Sequence, residues 1–178
     1  LPFNIFTVNL DRKSREIAFK VIKGLYKNLG QILEIQQGII YSGQTKEKVF
    51  AEKPINSSYK KCLDGRDILK WLINWNNKNE NKYICYSNKL HRPREERIFL
   101  NQEKILLPRR STKILCAFDN EKYYCLNTAY ICLLKDKDYS LKFILGILNS
   151  SLINYVYSKL FFGLQITIPA LESITVPL

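Results

Sequence analysis

The sequence has no methionine, a single histidine (His91) and only seven glycines in 178 residues. Each shortage closes off a class of chemistry. A catalytic Cys–His pair would have to use His91, which stands in a run of arginines with Arg92, Arg94 and Arg97. His91 therefore reads as an exposed loop residue. Five cysteines, an odd number with no C-x-x-C pair, signal neither a disulfide framework nor a zinc knuckle. Cys85, Cys116, Cys125 and Cys132 stand in apolar or aromatic runs, where a reduced thiol packs as a small hydrophobe. No apolar run reaches the roughly 18 residues of a membrane span, and residues 1–10 lack the basic-then-apolar order of a secretory signal. The expectation is a cytoplasmic chain with no membrane partner. Without even an initiator methionine, the chain reads as a piece of a longer polypeptide.

Catalytic signatures are missing as well. There is no G-x-G-x-x-G for a dinucleotide and no G-x-x-x-x-G-K-[ST] for a nucleoside triphosphate. No Asn precedes a Pro, so the Asn-Pro-Pro-aromatic loop with which amino-methyltransferases hold a flipped adenine is absent. Asp64 and Asp67 stand three apart without a third carboxylate for a magnesium site, and read instead as caps of the turn at Gly65. The expectation is no enzyme, no metal and no cofactor within these residues.

Positive charge is what the sequence has in excess. Lysine and arginine number 28 against 16 acidic residues, a formal net charge of +12, which favours a polyanionic partner. With 46% hydrophobic residues, including 11 Tyr and 9 Phe, the chain can also bury a core. Five of the eight arginines fall within residues 92–110: Arg92, Arg94, Arg97, Arg109 and Arg110. The first three sit in a loop expected between two strands, and the last two follow the next strand, so both groups could project from one end of a sheet. A guanidinium donates in a planar fork that matches phosphate oxygens or guanine O6 and N7, which suits a DNA reader. Pairing with Glu95 and Glu96 as a surface ion network is the competing reading.

Periodicity predicts an α+β fold: a twisted mixed or antiparallel β-sheet with an N-terminal helix and a C-terminal helical pair. Asp11 or Ser14 can cap a helix in which Ile17, Val21, Leu25 and Leu29 recur at helical spacing until Gly30. A strand over residues 31–35 follows, and Gly38 and Gly43 mark a turn. Strands are expected at 60–63, 82–87, 104–107, 113–118, 122–126 and 129–134, with Asp119-Asn120-Glu121 as a hairpin turn and residues 74–81 as a polar loop. Leu141, Ile144, Leu145 and Leu148 form one helical stripe capped by Ser140. Leu152, Ile153, Val156, Tyr157 and Leu160 form another.

The ordered segments Leu33-Glu34-Ile35-Gln36-Gln37-Gly38-Ile39, Leu63-Asp64-Gly65-Arg66-Asp67-Ile68, Lys104-Ile105-Leu106-Leu107-Pro108-Arg109-Arg110, Ile147-Leu148-Asn149-Ser150-Ser151-Leu152 and Ile174-Thr175-Val176-Pro177 together resemble the TaqI-like C-terminal specificity domain. This is the target-recognition domain of adenine-N6 DNA methyltransferases, including fused type IIG restriction–modification enzymes, and is related to type I specificity subunits. The resemblance spans roughly residues 29 to 178. It implies that residues 1–28 lead toward an absent catalytic domain and that 29–178 recognise double-stranded DNA, mainly through the major groove. S-adenosylmethionine and the flipped adenine would belong to that methyltransferase domain, linked covalently or present as a separate subunit. Arg109 and Arg110 stand at the family's Lys-Ile-Leu-x-x-Arg position and are assigned to the DNA face. Arg92, Arg94 and Arg97 would form a variable loop beside it, and Lys60, Lys61 and Arg66 are further candidates. Two other readings stay open: a protein-interaction module that docks a methyltransferase subunit through the helices at 141–160, and an RNA-binding domain that stacks bases on Tyr83, Tyr86, Tyr123 and Tyr124.

Overall fold

The computed structural model describes residues 11–22, 26–41, 49–75, 83–161 and 163–177. The expectations for residues 1–10, Leu25, Gly43 and 76–82 lie outside them. The fold is α+β, with two four-stranded sheets, one short two-stranded sheet and a helical layer.

Helix α1 (Arg12–Ile22) is capped by Asp11, whose carboxylate accepts from the Ser14 hydroxyl and from the Ser14 N–H at 2.9 Å; the hydroxyl bond first, then the N–H bond, lower the Asp11 pKa. The expected continuation to Gly30 does not occur. Strand β1 (Tyr26–Asn28) pairs instead with β10 (Thr175–Pro177), and Leu29 and Gly30 belong to a four-residue helix, α2 (Leu29–Ile32). Tertiary pairing here overrides the helical period.

The central sheet has the order β2 (Leu33–Gln37), β9 (Ala129–Leu134), β6 (Lys104–Pro108), β7 (Ala117–Asp119), antiparallel throughout. It is buried on both faces, so the two-residue alternation of side chains sorts residues into two cores. Ile105, Leu107, Tyr130 and Cys132 point into the first core, against α4 (Leu141–Leu148), α5 (Ser151–Leu160) and α6 (Ile168–Glu172). Leu106, Ala129, Ile131 and Leu133 point into the second. There they meet the other sheet, ordered β3 (Phe50–Ala51), β5 (Tyr83–Cys85), β4 (Tyr59–Leu63), β8 (Tyr124–Cys125), and helix α3 (Arg97–Leu100). Burying each such aliphatic side chain contributes about 1.5–3 kcal/mol. Helices α4 and α5 are capped by Ser140 and Ser150, whose Oγ atoms accept from the N–H groups of Phe143 and Ile153.

Two strand expectations need correcting. Residues 113–116 are not strand. Their backbone is held by side chains instead: Asn149 of the Leu-Asn-Ser-Ser segment accepts from Cys116 N–H at 2.8 Å and donates to its carbonyl at 2.9 Å, while Asn154 accepts from Ile114 N–H at 2.8 Å. Asp119-Asn120-Glu121 is a turn but not a hairpin, because β7 and β8 lie in different sheets. Asp119 is fully buried and accepts from Lys104 Nζ at 2.7 Å, from Glu121 N–H and from Tyr123 N–H. Lys104 Nζ also donates to the Phe99 carbonyl at 2.8 Å, so this buried pair is well supplied with partners. Cys62, Cys116, Cys125 and Cys132 are buried free thiols with pKa values raised by burial, Cys132 to about 12, and are poor nucleophiles; Cys85 is half-buried. No helix among the described residues is long and apolar enough to cross a membrane.

Candidate nucleic-acid interface

The register of the two sheets brings several strand ends together. Pro108 at the end of β6 lies opposite Ala129 at the start of β9, Gln37 at the end of β2 opposite Tyr130, and Leu63 at the end of β4 beside Cys125 at the end of β8. The turns that follow these strands therefore emerge from one end of the molecule, and they carry Arg66, Arg109 and Arg110.

Thr128 joins two of these turns. Its hydroxyl accepts from the Gly65 N–H at 2.9 Å and its carbonyl accepts from the Arg109 N–H at 2.7 Å. Gly65 is required by this approach, since a Cβ there would lie 2.4 Å from the Thr128 carbonyl oxygen. Asp64 and Asp67 shape the same turn as expected: Asp64 accepts from the Arg66 N–H and Asp67 from the Asp64 N–H. Arg66 and Arg110 consequently line one groove of about 520 Å³, whose apolar surfaces come from Ile68, Leu69 and Leu115. Arg66 is 77% exposed and touches Asp64 through Nε alone, at 3.4 Å. Arg110 is exposed, and its guanidinium has no ion-pair or hydrogen-bond partner among the described residues.

The other basic candidates are placed differently. Arg109 is half-buried; its carbonyl accepts from Ile166 N–H, and its guanidinium lies against the Tyr130 hydroxyl, opposing the rise in pKa that burial imposes on that phenol. Arg92 is exposed and its backbone pairs in both directions with Ile40, just past β2. Arg94 has a left-handed backbone at φ 68° and donates from Nε to the Gly38 carbonyl; burial, with Arg92 beside it, lowers its pKa. Arg97 is drawn away from that end. It donates to both carboxylate oxygens of Glu34, at 2.8 and 3.1 Å, and to Glu95 at 2.7 Å, and these bonds raise its pKa. Lys60 and Lys61 lie in the first half of β4, with Lys61 near Glu121 and over the rings of Tyr123 and Trp75. The strand tyrosines offer little stacking surface: Tyr123 and Tyr124 are buried, and Tyr83 and Tyr86 half-buried. His91 is exposed. Thr128 and Asn149 were not singled out for any role in the sequence; the signal available for Asn149 was an amide inside an apolar helical stretch, which must find a buried partner.

The molecule is thus a two-core α+β domain that presents an arginine-rimmed groove at its strand ends. The family model of the TaqI-like C-terminal specificity domain matches residues 60–176, and the chain belongs to that family. It is thus a specificity domain, the part of restriction–modification proteins concerned with recognising the DNA target. Among solved structures, the type IIG restriction endonuclease BpuSI is similar in fold, with a TM-score of 0.62 at 10% identity over 93% of this chain and 26% of that one. The HsdS subunit from Thermoanaerobacter tengcongensis gives a TM-score of 0.55 at 11% identity over 93% of this chain and 38% of its own. This chain therefore spans less than two-fifths of either protein. No curated protein matches the sequence.

Proposed function

We propose that this chain reads a specific double-stranded DNA sequence for a site-specific adenine-N6 DNA methyltransferase, whose catalytic domain, bound S-adenosylmethionine and any endonuclease activity lie outside these residues. The reading rests on one observation above others: Thr128 ties together the turns bearing Arg66 and Arg110, so that two exposed guanidinium groups line one groove. Paired in this way, the two forks can reach base edges in the major groove while nearby basic residues contact phosphates. Arg92 extends the basic surface beside them, and Arg109 and Arg94 support it through backbone contacts. The methyltransferase domain flips the target adenine into its own pocket, in the cytoplasm where the DNA is.

The test is a titration of the chain with duplex DNA at several salt concentrations. Binding that weakens as log K falls by about 0.9 per phosphate neutralised is the expected result. An absence of duplex binding at low salt, or a preference for single-stranded RNA, overturns the reading. A protein-docking face is favoured by a separate observation: Phe143, Leu152 and Tyr155 are exposed on α4 and α5. This face suits a methyltransferase subunit, and light scattering with and without that subunit tests it.

A further inference from the structure

Next to the groove stands a hairpin whose composition runs against its exposure. Ile68 bridges Ile73, and Leu69 and Leu72 exchange backbone hydrogen bonds at 2.8 and 3.4 Å, leaving Lys70 and Trp71 at the tip. Trp71 is 54% exposed, Leu72 57% and Leu69 41%. Three large apolar side chains among four consecutive residues thus face solvent. Trp71 also has φ 70°, a left-handed conformation that glycine or asparagine adopts freely and a bulky side chain only at a cost.

The tip is nonetheless tethered. The Trp71 N–H donates to the Cys116 carbonyl at 2.8 Å, and the same carbonyl accepts from Asn149, a buried side chain that also fixes the Cys116 N–H. The strained backbone that carries this exposed indole is therefore held in place through Cys116 by a buried amide at the C-terminal end of α4. The hairpin's stem continues directly from the turn bearing Arg66, and Ile68 and Leu69 line the groove with Arg110. Lys70 adds a further exposed cation at the tip. An apolar, aromatic tip set among Lys70, Arg66 and Arg110 matches a polyanion whose interior is made of stacked aromatic rings.

We propose that this hairpin is a wedge: Trp71, backed by Leu72, enters the base stack of the bound duplex at a step beside the groove, while Arg66 and Arg110 hold the flanking strands. The proposal rests on the duplex-reading function above. Apolar wedges of this kind separate neighbouring bases, and an aromatic side chain replaces part of the stacking that is lost.

The test uses the 178-residue chain and its Trp71→Gly, Trp71→Phe and Arg110→Ala variants, titrated with a short mixed-sequence duplex and with the same duplex carrying one abasic site. The gap in the second duplex removes the unstacking cost in advance, so the unaltered chain should bind it about tenfold more tightly. Trp71→Gly should weaken binding to the intact duplex about tenfold and lose the abasic preference. Trp71→Phe should keep most of both, and Arg110→Ala should weaken both duplexes alike. Glycine fits the left-handed backbone, so the melting midpoint of Trp71→Gly should move by no more than about 2–4 °C, which separates lost contact from lost fold. If Trp71→Gly binds both duplexes as the unaltered chain does, the wedge is wrong and the DNA reading stands. If it loses affinity only for a methyltransferase domain, the hairpin is a protein-docking element and the wedge is likewise wrong. If the unaltered chain binds neither duplex, the DNA reading itself has failed.

Discussion

Arg97, in α3, and Arg110, just past β6, come from the same arginine-rich stretch but meet different surroundings. Arg97 is held by Glu34 on a neighbouring strand and by Glu95 on its own loop. Arg110 meets no carboxylate among the described residues and faces a groove with Arg66. Lys104 lies further still toward the enclosed extreme, with its ammonium wholly buried against Asp119. Local density of charge in a sequence therefore does not measure charge available to a partner. A guanidinium already bonded to carboxylates must give up those bonds before it can take a phosphate or a base, whereas one facing solvent gives up only water.

The contrast can be broken at several points. Asp119→Ala strands the Lys104 ammonium in the core and should destabilise the fold by about 3–5 kcal/mol in urea unfolding, while the molecules that remain folded bind DNA as before. Gly65→Ala forces a Cβ against the Thr128 carbonyl; the expected loss is about 1–3 kcal/mol of stability, with weaker duplex binding because the two arginine turns separate. Arg110→Ala should leave stability within about 0.5 kcal/mol yet cost about 1–3 kcal/mol of binding and relax sequence preference, as read by competition between duplexes. Arg97→Ala is its control, with little change in urea-unfolding stability and little effect on DNA affinity.

The smallest expected effect is a pH dependence. The hydrogen bond from Arg97 lowers the Glu34 pKa below its ordinary value of 4.5. The unfolded chain therefore binds the proton first as pH falls, so this contribution to stability is complete above that value and is lost as pH drops through the lowered one. Urea midpoints measured down this acid range should fall more steeply for the unaltered chain than for Glu34→Gln.

Elements governed by local chemistry were legible in the sequence. The apolar stripes of α4 and α5, the Ser140 cap of α4, the Asp64–Asp67 turn, and the strands β6 and β9 follow from spacing and capping within a few residues. What escaped was set by distant partners. The helix expected to run to Gly30 stops because residues 26–28 pair with 175–177. Residues 113–116 look like a strand, but two asparagine side chains supply the bonds a neighbouring strand would have supplied. In the candidate site, Arg109 and Arg110 were visible from their position after a strand, and Arg66 from its turn. That Arg97 is tied to Glu34 could not be read, because those residues meet only once β2 and the loop before β6 are in place. Trp71 was equally hidden, since nothing in its side chain announces a left-handed backbone.

The placement of β9 also has a consequence in time. Its alternate residues belong to different cores, Tyr130 and Cys132 to one, Ala129, Ile131 and Leu133 to the other. Neither core can close until residues 129–134 have left the ribosome, roughly a hundred residues after β2; at about 5 to 20 residues per second that is a wait of about 5 to 20 seconds. During it, the apolar sides of β2, β4 and β6 stand open. A chain arrested just short of β9 should be far more vulnerable to proteases and to aggregation than one released after the helices at 141–172 have also emerged to cover the first core.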